Sequence, residues 1–122
     1  MVKPISPKLC RSVGDASDLL RTLGNANRLA IVCFLMEQES MVSQLEDELG
    51  IRQPTLSQQL TELRDAGIIE GRRDGKNVIY RVVDDKSTGL VKLLRGMFAG
   101  LDDVTSKRTS MANLPITEIM FD

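Results

Sequence analysis

The chain has 122 residues, 42% of them hydrophobic and 3% aromatic, with no Trp, no His and a net charge of -1. That length fits one domain, and its core has to be built from Leu, Ile, Val and Met. No apolar run is long enough to span a bilayer, no signal-peptide centre opens the chain, and two cysteines make no secreted disulfide scaffold; a cytoplasmic protein with no membrane partner is expected.

Ser6-Pro7 is a helix start, a capping hydroxyl followed by Pro at the first helical position. Leu9, Val13, Ala16, Leu20 and Leu23 follow at steps of four and three, which predicts a helix that Gly24 ends. Asn25 caps a second helix, with Leu29, Val32, Cys33 and Met36 on one side. Ser43 with Glu46 offers a capping box for a third, an earlier start being the alternative, and Gly50 ends it. Gln53-Pro54 opens a fourth helix with Leu56, Leu60 and Leu63 inward, closed by Asp65-Ala66-Gly67. Residues 68–73 and 76–83 read as strands around Asp74-Gly75, with Val78, Tyr80 and Val82 on one face. A last helix is expected from about Lys86 to the Lys107 region, with a stripe of Leu90, Leu94, Met97, Leu101 and Val104. The domain is expected to run from 1 to 108. An apolar tail, 109–122, carries Met111, Leu114, Ile116, Ile119, Met120 and Phe121, a composition suited to packing on something.

With its leucines inward, the fourth helix turns Pro54, Gln58, Thr61 and Asp65 outward, flanked by Thr55, Ser57 and Glu62. Hydroxyls and amides there can bond base edges, and a Gln amide can pair bidentately with adenine. Arg52 and Gln53 sit at the helix N-terminus, where phosphate is favoured. Arg72, Arg73 and Lys76 surround the hairpin turn. Charge is segregated: residues 50–83 hold six bases and four acids, whereas 31–49 hold five acids and no base. A helix, a turn, a polar-faced helix and a basic hairpin are the parts of a protein that reads double-stranded DNA through the major groove. The expected fold is mainly α with a small β-hairpin wing, a winged helix-turn-helix of order α-α-α-α-β-β-α. Taken singly, the polar face reads equally well as a solvated surface, and the hairpin tip as ordinary turn chemistry.

Together the segments Leu20-Arg21-Thr22-Leu23-Gly24-Asn25-Ala26-Asn27-Arg28-Leu29, Gln53-Pro54-Thr55-Leu56-Ser57-Gln58-Gln59-Leu60, Gly67-Ile68-Ile69 and Tyr80-Arg81 resemble the ArsR/SmtB family of bacterial winged-helix repressors. The likeness spans roughly residues 18–101. It implies a homodimer joined through the first and last helices, which puts Leu9, Val13, Leu20, Leu90, Leu94, Met97 and Leu101 at the interface. It also implies an inverted-repeat operator and repression of transcription. The family's metal-sensing pattern is missing: no cysteine lies near 41–45, and there is no His. No metal and no cofactor is expected. A carboxylate set of Asp84, Asp85, Asp102 and Asp103 would suit only hard cations.

A closer likeness is to the biofilm-growth-associated and sulfide-responsive repressors and their haemolysin-regulator relatives. The resemblance implies a redox- or reactive-sulfur-responsive thiol on the second helix, matched by Cys33, and a partner on the last helix, where Ala99 stands instead. Cys10 is the remaining candidate partner, provided the α-carbons lie within about 7 Å. The alternative for Cys33 is a small buried hydrophobe, which makes the chain a constitutive or non-thiol-controlled regulator. An enzyme is not expected, for want of a His, a phosphate-cradling loop or a nucleophile elbow. A winged-helix protein-docking module is the rival reading.

Overall fold

The computed structural model describes the backbone of residues 7–98, 100 and 101, and side chains from Ser12 onward. The elements are α1 (Pro7–Leu23), α2 (Ala26–Glu37), β1 (Ser40–Met41), α3 (Val42–Leu49), α4 (Thr55–Asp65), β2 (Ile69–Asp74), β3 (Asn77–Val82) and α5 (Asp85–Met97). The expected helix order and hairpin are present, with one added strand, β1.

The axle of the fold is α2. Asn25 caps it, its side-chain oxygen accepting from the Arg28 N–H. Five consecutive residues, Ile31 to Leu35, are buried. A helix buried on every side belongs in a core rather than at its edge. Leu45 of α3, Leu56, Leu60 and Leu63 of α4, Ile68, Ile69 and Val91 close around it. Each fully buried Leu contributes roughly 1.5–3 kcal/mol, so the α4 leucines decide which face of that helix turns inward.

The three strands run β1-β3-β2, antiparallel throughout. β1 pairs Ser40 with Tyr80 and Met41 with Ile79. Two residues carry no alternation, so the sequence pattern gave no signal for it. In the hairpin Asp74 pairs with Asn77, which leaves Gly75-Lys76 as the two-residue loop. The turn therefore sits one residue later than Asp74-Gly75. Gly75 has φ +66° and, among the described residues, no non-glycine residue has positive φ, which fits a type II′ turn. Gly71 faces Tyr80 across the ladder, and a Cβ there would lie 2.6 Å from the Val78 side chain and 3.0 Å from the tyrosine ring.

Two helix ends differ from expectation. The box at α3 is not Ser43 with Glu46; the cap is Met41, two residues earlier, and the Gln44 side chain accepts from the Met41 N–H at 2.9 Å. The last helix stops at Met97, and Phe98 is extended, so Leu101 lies in a following turn rather than on the stripe. Asp84 starts α5 by accepting from the Ser87 N–H at 3.0 Å and from its hydroxyl at 2.6 Å. That satisfies a buried serine; Asp102 and Asp103 of the carboxylate set lie outside the described residues. Val104 and the tail 109–122, with the boundary at 108, lie outside the described residues.

Candidate nucleic-acid interface

α3 ends at Gly50, whose φ of 70° makes the left-handed turn that glycine favours. Ile51 tucks into the core and Arg52 stays exposed. The Gln53 side chain then folds over the start of α4, its Oε1 accepting from the Ser57 N–H at 3.0 Å and from the Ser57 hydroxyl at 2.7 Å. The Gln53 oxygen is thus spent on capping, and only its amide N–H groups remain to meet a phosphate. Likewise the Ser57 hydroxyl proton is committed, but its lone pairs are not.

Further along α4, Gln58 and Thr61 are exposed, and among the described residues neither side chain makes a hydrogen bond. Thr55 is half-buried. Its hydroxyl likewise has no partner among the described residues, so the exposed uncommitted groups of α4 that can both donate and accept are Gln58 and Thr61, one turn apart on one face. At the other end of the helix, Glu62 and Asp65 join Asp15, Asp18 and Asp84 around a cavity of about 530 Å³, where Arg21 and Lys86 are the only cations among the described residues. Charge thus directs the N-terminal end of α4, not its C-terminal end, toward an anion, in the sense of the helix dipole.

The wing arginines do not act alike. Neighbouring strand residues point to opposite faces. Arg72 stands opposite Ile79 and is ion-paired with Glu39 at 2.8 Å, whereas Arg73 stands opposite Val78 with no ion pair among the described residues. Arg81 is held by Glu70, at 3.0 and 2.6 Å. Lys76, at the turn, is exposed.

Away from this face, Val13 and Leu20 of α1 and Leu93, Met97 and Phe98 at α5 are large apolar side chains left open, Leu20 at 59% and Met97 at 68% exposure. Leu94 is half-buried, and Leu90 and Leu101 pack in part against the chain's own core. The side chain of Leu9 lies outside the described residues. Stripe reading passed over Leu93, which lies off the Leu90–Leu94–Met97 face, and Phe98, which follows the helix in extended backbone.

The family model for bacterial regulatory proteins of the arsR family matches residues 25–70. The biofilm growth-associated repressor of Agrobacterium fabrum is 40% identical over 97 residues, 80% of this chain and 83% of that protein. This chain belongs to the arsR family. The Xylella fastidiosa biofilm growth-associated repressor is 44% identical over 88 residues, 72% of this chain and 77% of that one. The crystal structure of the transcriptional repressor BigR from Xylella fastidiosa superposes with a TM-score of 0.71 at 41% identity, over 79% of this chain and 98% of that one. The fold is the winged helix-turn-helix of this arsR-family group.

Cys33 is fully buried. Burial pushes its thiol above the ordinary value; the Arg95 guanidinium offsets this in part, and Glu37 adds to it. Arg95 ties α5 to α2, Nη2 donating to the Cys33 carbonyl at 3.1 Å and Nη1 to Glu37 at 2.9 Å. The Cys10 side chain and Ala99 lie outside the described residues. Among the described residues no three His, Cys, Asp or Glu gather as a metal site, and no helix is long and apolar enough to cross a membrane.

Proposed function

We propose that this chain is a cytoplasmic, sequence-specific DNA-binding repressor that acts as a homodimer on an inverted-repeat operator. α4 enters the major groove and Gln58 and Thr61 read base edges. Arg52, the Gln53 amide, Arg73 and Lys76 hold phosphates. Two copies joined through α1 and α5 would present two reading helices to half-sites one helical turn apart, about 34 Å. The observation that carries this reading is the exposed, uncommitted Gln58–Thr61 pair on a helix whose buried leucines turn the opposite face inward. The polar groups kept free of internal partners are those a groove would use.

As for control, the burial of Cys33 and its raised thiol favour a packing role over a reactive-sulfur one. The chain then represses constitutively or answers a signal other than thiol chemistry.

Selection from a random 30-bp duplex library, followed by anisotropy titration at several salt concentrations, tests the function. The expected result is an inverted-repeat consensus bound at least 1000-fold over random duplex, with affinity falling steeply with salt. Binding without salt dependence, or no binding, sinks the reading. Mass spectrometry after tetrasulfide or peroxide treatment tests the control: a Cys10–Cys33 link that changes DNA affinity would restore the thiol role.

A further inference from the structure

Arg28 stands at the third position of α2, where a positive charge opposes the helix dipole. Its side chain shows what it does there. Nε donates to the Thr22 carbonyl at 2.6 Å, and Nη2 to the Arg21 carbonyl at 3.4 Å. Both carbonyls belong to the last turn of α1, which leaves its final carbonyls without partners inside the helix. Nη1 reaches across 31 residues of chain to donate to Gln59 Oε1 on α4 at 2.8 Å. One planar, half-buried cation thus joins the end of α1 to the start of α2 and to the middle of α4.

We propose that Arg28 is a positioning residue for base reading, a clamp that fixes the rotation and slide of α4 relative to α1 through Gln59. Gln59 is the immediate neighbour of Gln58. The two amides point about 100° apart on the helix, one inward to the clamp and one outward. The leucines alone allow a small rocking of α4, because apolar contacts carry no direction. A charge-assisted hydrogen bond does carry one. The bond from Nη1 therefore sets where Gln58 meets a base edge, while the bonds from Nε and Nη2 tie that setting to α1, the helix with exposed Val13 and Leu20. Arg28 itself touches no base.

This inference rests on the DNA-reading proposal, and the experiment separates the two. The variants are Gln59→Met, which keeps the volume and loses the acceptor, Gln59→Glu, which keeps the acceptor, Arg28→Met, and the double Arg28→Met/Gln59→Met. Each full-length protein is titrated with the duplex recovered by selection on the wild type and with random duplex. Gln59→Met and Arg28→Met are each expected to lower the selected-to-random affinity ratio about tenfold, the size of one charge-assisted bond. Random-duplex affinity should hold for Gln59→Met, the double variant should be no worse than the worse single, and Gln59→Glu should keep the wild-type ratio.

A Gln59→Met ratio equal to the wild type, or fully multiplicative single effects, overturns the clamp. Should Arg28→Met not fold, the Gln59 pair decides alone. If the wild type itself fails to discriminate, the DNA reading has failed, and amide exchange judges the clamp: about tenfold faster exchange along α4 in Gln59→Met supports it, and unchanged exchange overturns it.

Discussion

Alanine at Arg72 and alanine at Arg73 should have unequal effects on DNA binding, although the two residues are adjacent. Strand geometry sends them to opposite faces, so one wing face meets the backbone with one arginine, not two. Arg72 is held by Glu39 at 2.8 Å; Arg73 has no such partner among the described residues. Each phosphate contact contributes about 0.9 to the slope of log K against log salt. A dimer carries two wings, so losing Arg73 should flatten the slope by about 1.8. Between 50 and 200 mM salt that is roughly a twelvefold smaller fall in affinity. Loss of Arg72 should leave the slope nearly unchanged and cost stability within the usual 0–1 kcal/mol of an exposed pair. The double variant should match Arg73→Ala alone, at about 1.8 rather than 3.6. Fluorescence anisotropy on random duplex at five salt concentrations measures all three. Equal slope changes from the two single substitutions would refute the alternation argument.

Gln58→Ala should reduce discrimination by roughly 1–3 kcal/mol at one base pair of each half-site while leaving random-duplex affinity intact; competition titration with point-substituted duplexes reads this, and equal losses on both DNAs contradict the assignment. Leu20→Glu places a charge in the exposed apolar surface of α1, and sedimentation equilibrium should then report a monomer at concentrations where the wild type is dimeric; an unchanged dimer would move the interface elsewhere. Asp84→Ala removes the cap of α5 and strands the buried Ser87 hydroxyl, so urea unfolding should show a loss of about 1–3 kcal/mol. For Cys33 the sign follows from linkage: a raised thiol keeps its proton in the folded state where the unfolded chain loses it, so its contribution to stability is full below the unfolded value near 9.0 and declines above it. Thermal melts of the wild type against Cys33→Val should accordingly show the wild type losing ground above pH 9, and a pH-independent difference would argue against the burial effect.

The α4 leucines, the Asn25 cap, the Gly50 turn and the hairpin were legible because each depends on residues within one turn or one ladder of one another. What escaped was non-local or used unusual residues. The cap at Met41 and Gln44 lacks the Ser or Thr on which capping-box reading depends. β1 is too short to alternate, and it exists only because β3 supplies its partner. On α4 and the wing, helical phase turned Gln58 and Thr61 outward, as the structure has them, but could not say that Gln53 spends its oxygen on Ser57 or that Arg72 is held by Glu39. The Arg28–Gln59 bond was beyond any spacing rule, since 31 residues separate its ends, although both residues stood inside the segments that carried the family resemblance.

The free cations and the apolar surface argue for each other. One protomer brings Arg52, Arg73 and Lys76 free to phosphate, against a net charge of -1 on the whole chain. Three contacts give a salt slope near -2.7, which is non-specific binding of modest strength. Six contacts from two protomers give about -5.4, and the second set engages with little further loss of translational freedom once the first is bound. That gain exists only if the spacing of the two α4 helices is rigid, because a flexible link spreads the second helix over many positions. Rigidity requires apolar contact over a broad area. Val13 and Leu20 on α1, Leu93 and Met97 on α5 and Phe98 just after it, all open, supply side chains for it. Removing the dimer contact should therefore cost more operator affinity than removing any one cation, and Leu20→Glu should halve the salt slope, whereas Arg73→Ala should reduce it by only a third.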